Sequence, residues 1–156
     1  MSTLTIVVPK GYSYVIAAVV STFWLTFYQT VNVGVRRKHA KIQYPQAYAE
    51  KAEAEASKEA KIFNCAQRAH HNTLEVLPQI YVGTLLVGLK YPIFAATICS
   101  FWTFSRVFYT LGYTSGDVNK RVNYISIPGN MAAFFGLVLG GSTVVAFKFL
   151  SADAWA

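Results

Sequence analysis

At 156 residues the chain has the length of one domain, and it is 54% hydrophobic but only 13% charged. Soluble domains carry about 25% charged residues, so the composition excludes an ordinary water-soluble enzyme and points to a membrane protein. The net charge of +7 does not indicate nucleic-acid binding, because the basic residues flank apolar segments of membrane-spanning length.

The first predicted helix covers residues 11–35, which contain no charge, and ends at Arg36-Arg37-Lys38. Gln29 and Asn32 are mild polar intrusions near that end. The segment before it, MSTLTIVVPKGYSY, has a single Lys and no small-residue cleavage site, so this helix is expected to be retained rather than removed as a signal. Loop 36–61 follows with seven Lys/Arg residues. Its stretch EKAEAEASKEAK reads as a short helix or a flexible, solvated charge run. At four-residue spacing Lys51–Glu55 favours a helix and Glu55–Glu59 opposes one.

The second helix, 62–90, is apolar apart from a polar half that ends near Pro78, where a kink is expected. Tyr91-Pro92 makes a very short turn into the third helix, 92–115. The fourth, 123–149, has Pro128-Gly129 early, and Gly136, Gly140 and Gly141 suit close packing. The expected fold is therefore an all-α membrane protein, one domain over residues 1–156, built as a four-transmembrane-helix bundle. Lys/Arg asymmetry places loops 36–61 and 115–122 in the cytosol and both termini on the lumenal or outer side. Cys65 and Cys99 fall at opposite ends of their helices, so no disulfide between them is expected.

Two polar stripes stand out. In FNCAQRAHHNTLEVLPQIYVGTLLVGL, Arg68, Asn72 and Glu75 fall within about 60° on a helical wheel. Such side chains are costly in hydrocarbon and persist where they face a partner, a cavity or a ligand. In the third helix Arg106, Tyr109 and Tyr113 form a similarly narrow stripe. Helix rise puts Arg68 about 10 Å and Glu75 about 20 Å in from Lys61, and the tyrosines at overlapping depth. Arg36, Arg37, Lys120 and Arg121 ring the same mouth.

This inventory suits a small ligand with carboxylates and an amine. Arginine grips carboxylates in a fork, Glu75 can hold an ammonium, and glutathione has matching groups plus a thiol. The competing reading is that Arg68, Glu75 and Arg106 neutralise one another. Against it, the axial distance between Arg68 and Glu75, about 10 Å, is expected to prevent direct pairing. Adjacent His70 and His71 diverge by about 100° and no second ligand set accompanies His71 and Glu75, so no metal is expected. Cys65, Cys99, Phe63, Phe101 and Trp102 read as packing or lipid-facing residues.

The segments FNCAQRAHHNTLE, FSRVFYTLGY and NKR, in this order, resemble the MAPEG family of membrane-associated proteins in eicosanoid and glutathione metabolism, most closely its type-3 microsomal glutathione S-transferase branch. The resemblance covers nearly the whole chain, more weakly through the first helix. It implies a homotrimer in the endoplasmic reticulum or a related membrane, with glutathione bound at the subunit interface facing the cytosol. It assigns Arg68, Asn72, Glu75, Tyr109 and Tyr113 to glutathione contacts, with Arg36 or Arg37 helping from the end of the first helix. Arg106 shares the Tyr109 stripe and is grouped with them. His70 stands where some relatives place a contacting glutamine, and Val76 where leukotriene C synthases carry a tyrosine.

Arg121 matches the arginine that stabilises the thiolate, with Lys120 as its competitor. The partners implied are a lipophilic electrophile or a lipid hydroperoxide. Two rivals to an enzyme stay open: a non-enzymatic lipid-binding scaffold, as some members of the family are, and a transporter or channel subunit, for which no broken-helix repeat speaks.

Overall fold

A computed structural model describes residues 8–153, and every regular element among them is helical. In chain order these are α1 (Tyr12–Ala40), α2 (Lys51–Ala56), α3 (Lys58–Gly88), α4 (Pro92–Tyr113), a 3-10 turn (Val118–Arg121), α5 (Ser126–Ala133), a π-helical turn (Phe134–Val138) and α6 (Gly140–Asp153). The last three run on as one rod. Two rods, Tyr12–Ala40 and Ser126–Ala152, are long and apolar enough to cross a membrane; they cover most of the two uncharged stretches of the sequence. α1, α3 and α4 each pack on the other two, and the fourth rod covers α4 and α3.

Helix ends differ from the expected ones for local reasons. α1 runs through Arg36-Arg37-Lys38 to Ala40 instead of stopping at Val35. Cations in a last helical turn are favoured by the partial negative charge of the unpaired carbonyls, so the basic cluster prolongs the helix. It stops at Lys41, in the left-handed region at φ 58°, whose N–H closes onto Arg37 O and Lys38 O. At about 1.5 Å per residue, α1 exceeds the roughly 30 Å hydrocarbon core, so its basic end has length to project beyond it.

α3 starts at Lys58, earlier than expected, because the Ser57 hydroxyl accepts the Ala60 N–H and caps the first turn. Ser57 is itself extended, so α2 and α3 are separate helices. Glu55 and Glu59 therefore never share a helix face, and the predicted repulsion is relieved. Lys51–Glu55 does pair, at 3.9 Å. α3 continues without interruption through Pro78 to Gly88, and Pro92 occupies the first turn of α4, where a missing N–H costs no bond.

The fourth rod begins at Ser126, with Asn123 Oδ1 accepting the N–H groups of Ile125 and Ser126 at 3.0 and 2.8 Å. Its π turn closes through Leu139 N–H to Phe134 O at 2.7 Å. The widened backbone faces α3 at Gly83, where a Cβ would lie 2.8 Å from Leu137 O. On α4, Gly129 approaches so closely that a Cβ would overlap the Ser105 side chain.

The core centres on Trp102, Ile80, Leu137, Val15 and Val87, with Cys99 among them. Phe63 is fully buried and Cys65 nearly so, while Phe101 lies partly on the surface. Both cysteines are free. Phe23, Trp24, Phe27, Phe104, Phe135 and Phe147 face outward, an apolar surface of the kind hydrocarbon covers.

Gly83→Val is expected to destabilise the detergent-solubilised protein by about 1–3 kcal/mol, because the Leu137 carbonyl belongs to backbone that cannot rotate away. A thermal unfolding curve unchanged from wild type would show that the π turn yields.

Candidate functional site

The outer face of α3 brings Arg68, Asn72 and Glu75 together as the wheel predicts. Arg68 Nη1 donates to Glu75 Oε1 at 2.8 Å and Nη2 to Oε2 at 3.5 Å. Asn72 Nδ2 donates to Glu75 Oε2 at 3.4 Å. The direct pair overturns the expectation that two turns of separation forbid contact. Positions seven apart differ by only about 20° around the axis, and both side chains extend along it, so their combined reach closes the gap. The pair is not enclosed: the Arg68 and Glu75 side chains are 48% and 50% exposed. An ion pair this open, predicted to lie well inside the bilayer, has a face left to satisfy.

Behind it lies a buried polar network. Arg106, expected to line the ligand face with the tyrosines, is instead 2% exposed. Its Nη2 donates to Asn72 Oδ1 at 2.9 Å and to Thr73 Oγ1 at 2.9 Å, and its Nε to Thr73 Oγ1 at 3.1 Å. Its guanidinium centre lies 3.9 Å from the Tyr109 ring centroid. Among the described residues it makes no salt bridge; hydroxyl, amide and aromatic face solvate the cation instead.

Thr73 can accept because its own hydroxyl proton goes to Ala69 O at 3.1 Å. Gln29 completes the network from α1: its Nε2 donates to Thr73 Oγ1 at 2.9 Å and to Thr110 Oγ1 at 2.8 Å. In the sequence Gln29 reads as a minor intrusion, and neither threonine stands out from its apolar neighbours. The signal was an amide in an uncharged helix, which in a low-dielectric interior demands partners. Asn72 joins the two layers, accepting from Arg106 on the inside and donating to Glu75 on the outside.

Tyr109 and Tyr113 stack edge to face, with ring centroids 5.6 Å apart. The 3-10 turn presents Arg121 to them. Asp117 caps that turn by accepting the Asn119 N–H at 3.0 Å, and the Arg121 carbonyl accepts from Ser126 Oγ at 2.8 Å. Arg121 Nη1 then donates to the Tyr113 hydroxyl at 3.2 Å. Arg106, bonded to Asn72 and seated on the Tyr109 ring, joins the two stripes. Lys120, the competitor of Arg121, is exposed.

The remaining candidates separate. Arg37 is turned inward: it is 7% exposed, donates Nη1 to Gln46 O at 2.6 Å, and lies 4.4 and 4.6 Å from the Tyr44 and Phe63 ring centroids. These contacts occupy it in holding the first loop to α1 and α3. Arg36 is half-buried and bonds Asn32 Oδ1 through Nε at 3.4 Å, leaving the rest of its guanidinium unengaged by other residues of the described chain. His70 is half-buried, its ring 6.4 Å from that of His71.

Thr73→Val removes the hydroxyl on which Arg106 and Gln29 converge. It is expected to cost about 1–3 kcal/mol in detergent unfolding, whereas Thr73→Ser, which keeps the hydroxyl, retains most of the stability. Equal behaviour of the two variants would reduce Thr73 to a packing residue.

A family model described as "MAPEG family" matches residues 15–141. The matched span contains α2, α3, α4, the 3-10 turn, α5, the π turn and nearly all of α1, and with them every residue of the two stripes. The chain belongs to the MAPEG family, membrane-associated proteins that use glutathione and include glutathione transferases and leukotriene C synthases.

Proposed function

We propose that the protein is a glutathione-dependent membrane transferase of the type-3 microsomal kind, with lipid-hydroperoxide peroxidase activity as a companion reaction. The observation that carries this reading is the half-open Arg68–Asn72–Glu75 array, linked through Arg106 and the stacked Tyr109 and Tyr113 rings to an arginine already held against Tyr113. Glutathione's carboxylates suit Arg68 and Arg36, and its amine suits Glu75. Asn72, Tyr109, Tyr113 and His70 complete the wall. Arg106 acts from behind, fixing Asn72 and the Tyr109 ring rather than touching the tripeptide.

Arg121 is the catalytic residue. An ordinary thiol has a pKa near 8.5, so about 3% is thiolate at pH 7. A neighbouring guanidinium favours the anion and can bring most of the bound thiol into that form. With an epoxide, the sulfur forms the new C–S bond as the C–O bond breaks, and the alkoxide takes a proton. With a hydroperoxide, the sulfur attacks the distal oxygen, the O–O bond breaks, and a lipid alcohol leaves. A second glutathione then converts the sulfenic acid to the disulfide and releases water.

Assembly as a homotrimer in the endoplasmic reticulum or a related membrane, with all four rods spanning, loops 36–61 and 115–122 cytosolic and the termini lumenal, belongs to the same proposal. A neighbouring copy would cover the open α3 face. The scaffold alternative retains the apolar exterior but leaves both the α3 array and the Arg121–Tyr113 contact without a use.

Arg121→Ala is expected to lower turnover about 20-fold at neutral pH, the loss of a mostly ionised thiol, while the calorimetric affinity for glutathione changes by less than about threefold. Matching losses in both would reassign Arg121 to docking. Glu75→Gln keeps the shape and removes the charge. It is expected to weaken glutathione binding about tenfold, and unchanged affinity would remove Glu75 from the site.

A further inference from the structure

The outward stripe of α1 changes character along its length. Val20, Phe27, Val31, Gly34 and Lys38 fall within about 60° on a helical wheel, and all are exposed. The first part is apolar. Trp24 meets Phe27 edge to face, with ring centroids 6.4 Å apart, and the two line a shallow groove with Val20 and Phe23. Beyond Val31 the stripe turns basic. A recess of about 310 Å³ at this end of α1 is lined by Gly34, Arg37, Lys38, Lys41 and Tyr44, with no carboxylate in its walls.

The recess is charged without being neutralised. Arg37 is nearly buried, between the Tyr44 and Phe63 rings. Its Nη1 alone finds an acceptor among the described residues, Gln46 O, and no carboxylate there pairs with it. A cation so placed is short of a counter-charge. Lys38 and Lys41 are exposed at the rim. The carbonyl end of α1 would repel an anion, but the Lys41 N–H closes onto Arg37 O and Lys38 O. Tyr44 is largely exposed, an amphipathic ring of the kind found at headgroup level.

We propose that this face of α1 binds an anionic phospholipid, with the phosphate in the recess against Arg37, Lys38 and Lys41 and an acyl chain along Val31 and Phe27. Helix rise puts Phe27 about 16 Å from Lys38, close to half of the roughly 30 Å hydrocarbon core, which is the depth of one leaflet. The recess is at the lower end of ligand-pocket sizes, so it takes a headgroup and leaves the chains on the stripe. The cations call for an anion and the adjoining surface for hydrocarbon, and one lipid supplies both. Arg36 diverges from Lys38 by about 160° around α1, so this face is separate from the glutathione site and the inference does not rest on that reading.

Two variants test it. A Cβ at Gly34 would meet nothing within 4 Å, so Gly34→Leu is compatible with the fold and fills the recess. Lys38→Gln combined with Lys41→Asn removes two charges, asparagine tolerating the left-handed backbone. Native mass spectrometry of the purified full chain in neutral detergent, titrated with phosphatidylserine or with phosphatidylcholine of the same chains, reads the bound lipid. The wild type is expected to prefer phosphatidylserine, and the preference to fall about fivefold for each lysine removed. Gly34→Leu is expected to lose bound phosphatidylserine as well. Equal binding of the two lipids by the wild type, or an unchanged preference in the lysine variant, overturns the proposal. Displacement of the lipid by inorganic phosphate, but not by chloride at equal ionic strength, assigns the recess to a free anion and overturns it too. A changed oligomer mass in Gly34→Leu with lipid retained makes the face a contact between copies, with the same consequence.

Discussion

A guanidinium buried between helices governs how this chain is put together. Arg106 on α4 is almost sealed from solvent, and a charge in that position is tolerated only where polar groups replace its water. Thr73 and Asn72 on α3 supply them, with the Tyr109 face below. Gln29 from α1 meets Thr73 and Thr110 in the same layer. Because these groups come from three helices, sliding any of them by one residue would strand either the cation or the Gln29 amide. Apolar packing alone leaves register loosely specified, since one methyl replaces another at little cost. The polar layer removes that freedom, and it sits directly behind the surface that carries the outer ion pair.

The fourth rod uses a different device. With no charge between residues 122 and 147 it cannot be keyed by ionic contacts, so shape does the work. Gly129 admits Ser105, and Gly83 admits the widened π turn at Leu137. A π turn displaces one carbonyl from the regular ladder, and that displaced backbone nests where α3 has no side chain. The same rod reaches back to the site through Ser126, which holds the Arg121 carbonyl. Packing at the far side of the bundle is thereby linked to where Arg121 points.

Much of this was legible in the sequence. The uncharged stretches marked α1 and the fourth rod, and the spacing of Arg68, Asn72 and Glu75 placed them on one face. What escaped was of two kinds. Helix ends were set by local chemistry that hydropathy does not weigh: Ser57 as a cap, and the attraction of Arg37, Lys38 and His39 to a helix C-terminus. Side-chain direction was the second. Arg36 and Arg37 are adjacent, hence about 100° apart, so one faces the loop and the other does not, and composition cannot say which. Arg106 and Tyr109 share a stripe, yet a stripe spans enough angle for one member to point into the bundle and another toward its edge. The Arg68–Glu75 contact is hidden from axial rise alone, because two side chains extended along the helix close the gap between them.

The inner and outer charges differ in completeness. Arg106 is solvated within the chain by groups from α3 and α4. Arg68 is not: of the five N–H donors an arginine carries, two are directed at Glu75, and the side chain remains half open. At the depth proposed for it, hydrocarbon would offer no acceptor. Whatever meets this face must therefore bring acceptors for Arg68 and something cationic or hydrogen-donating for Glu75. A neighbouring copy of the chain can exclude lipid, and a zwitterionic peptide can supply the missing charges. The two roles are complementary, since a peptide lodged at the seam would be gripped most strongly once the surrounding lipid and bulk water were kept out.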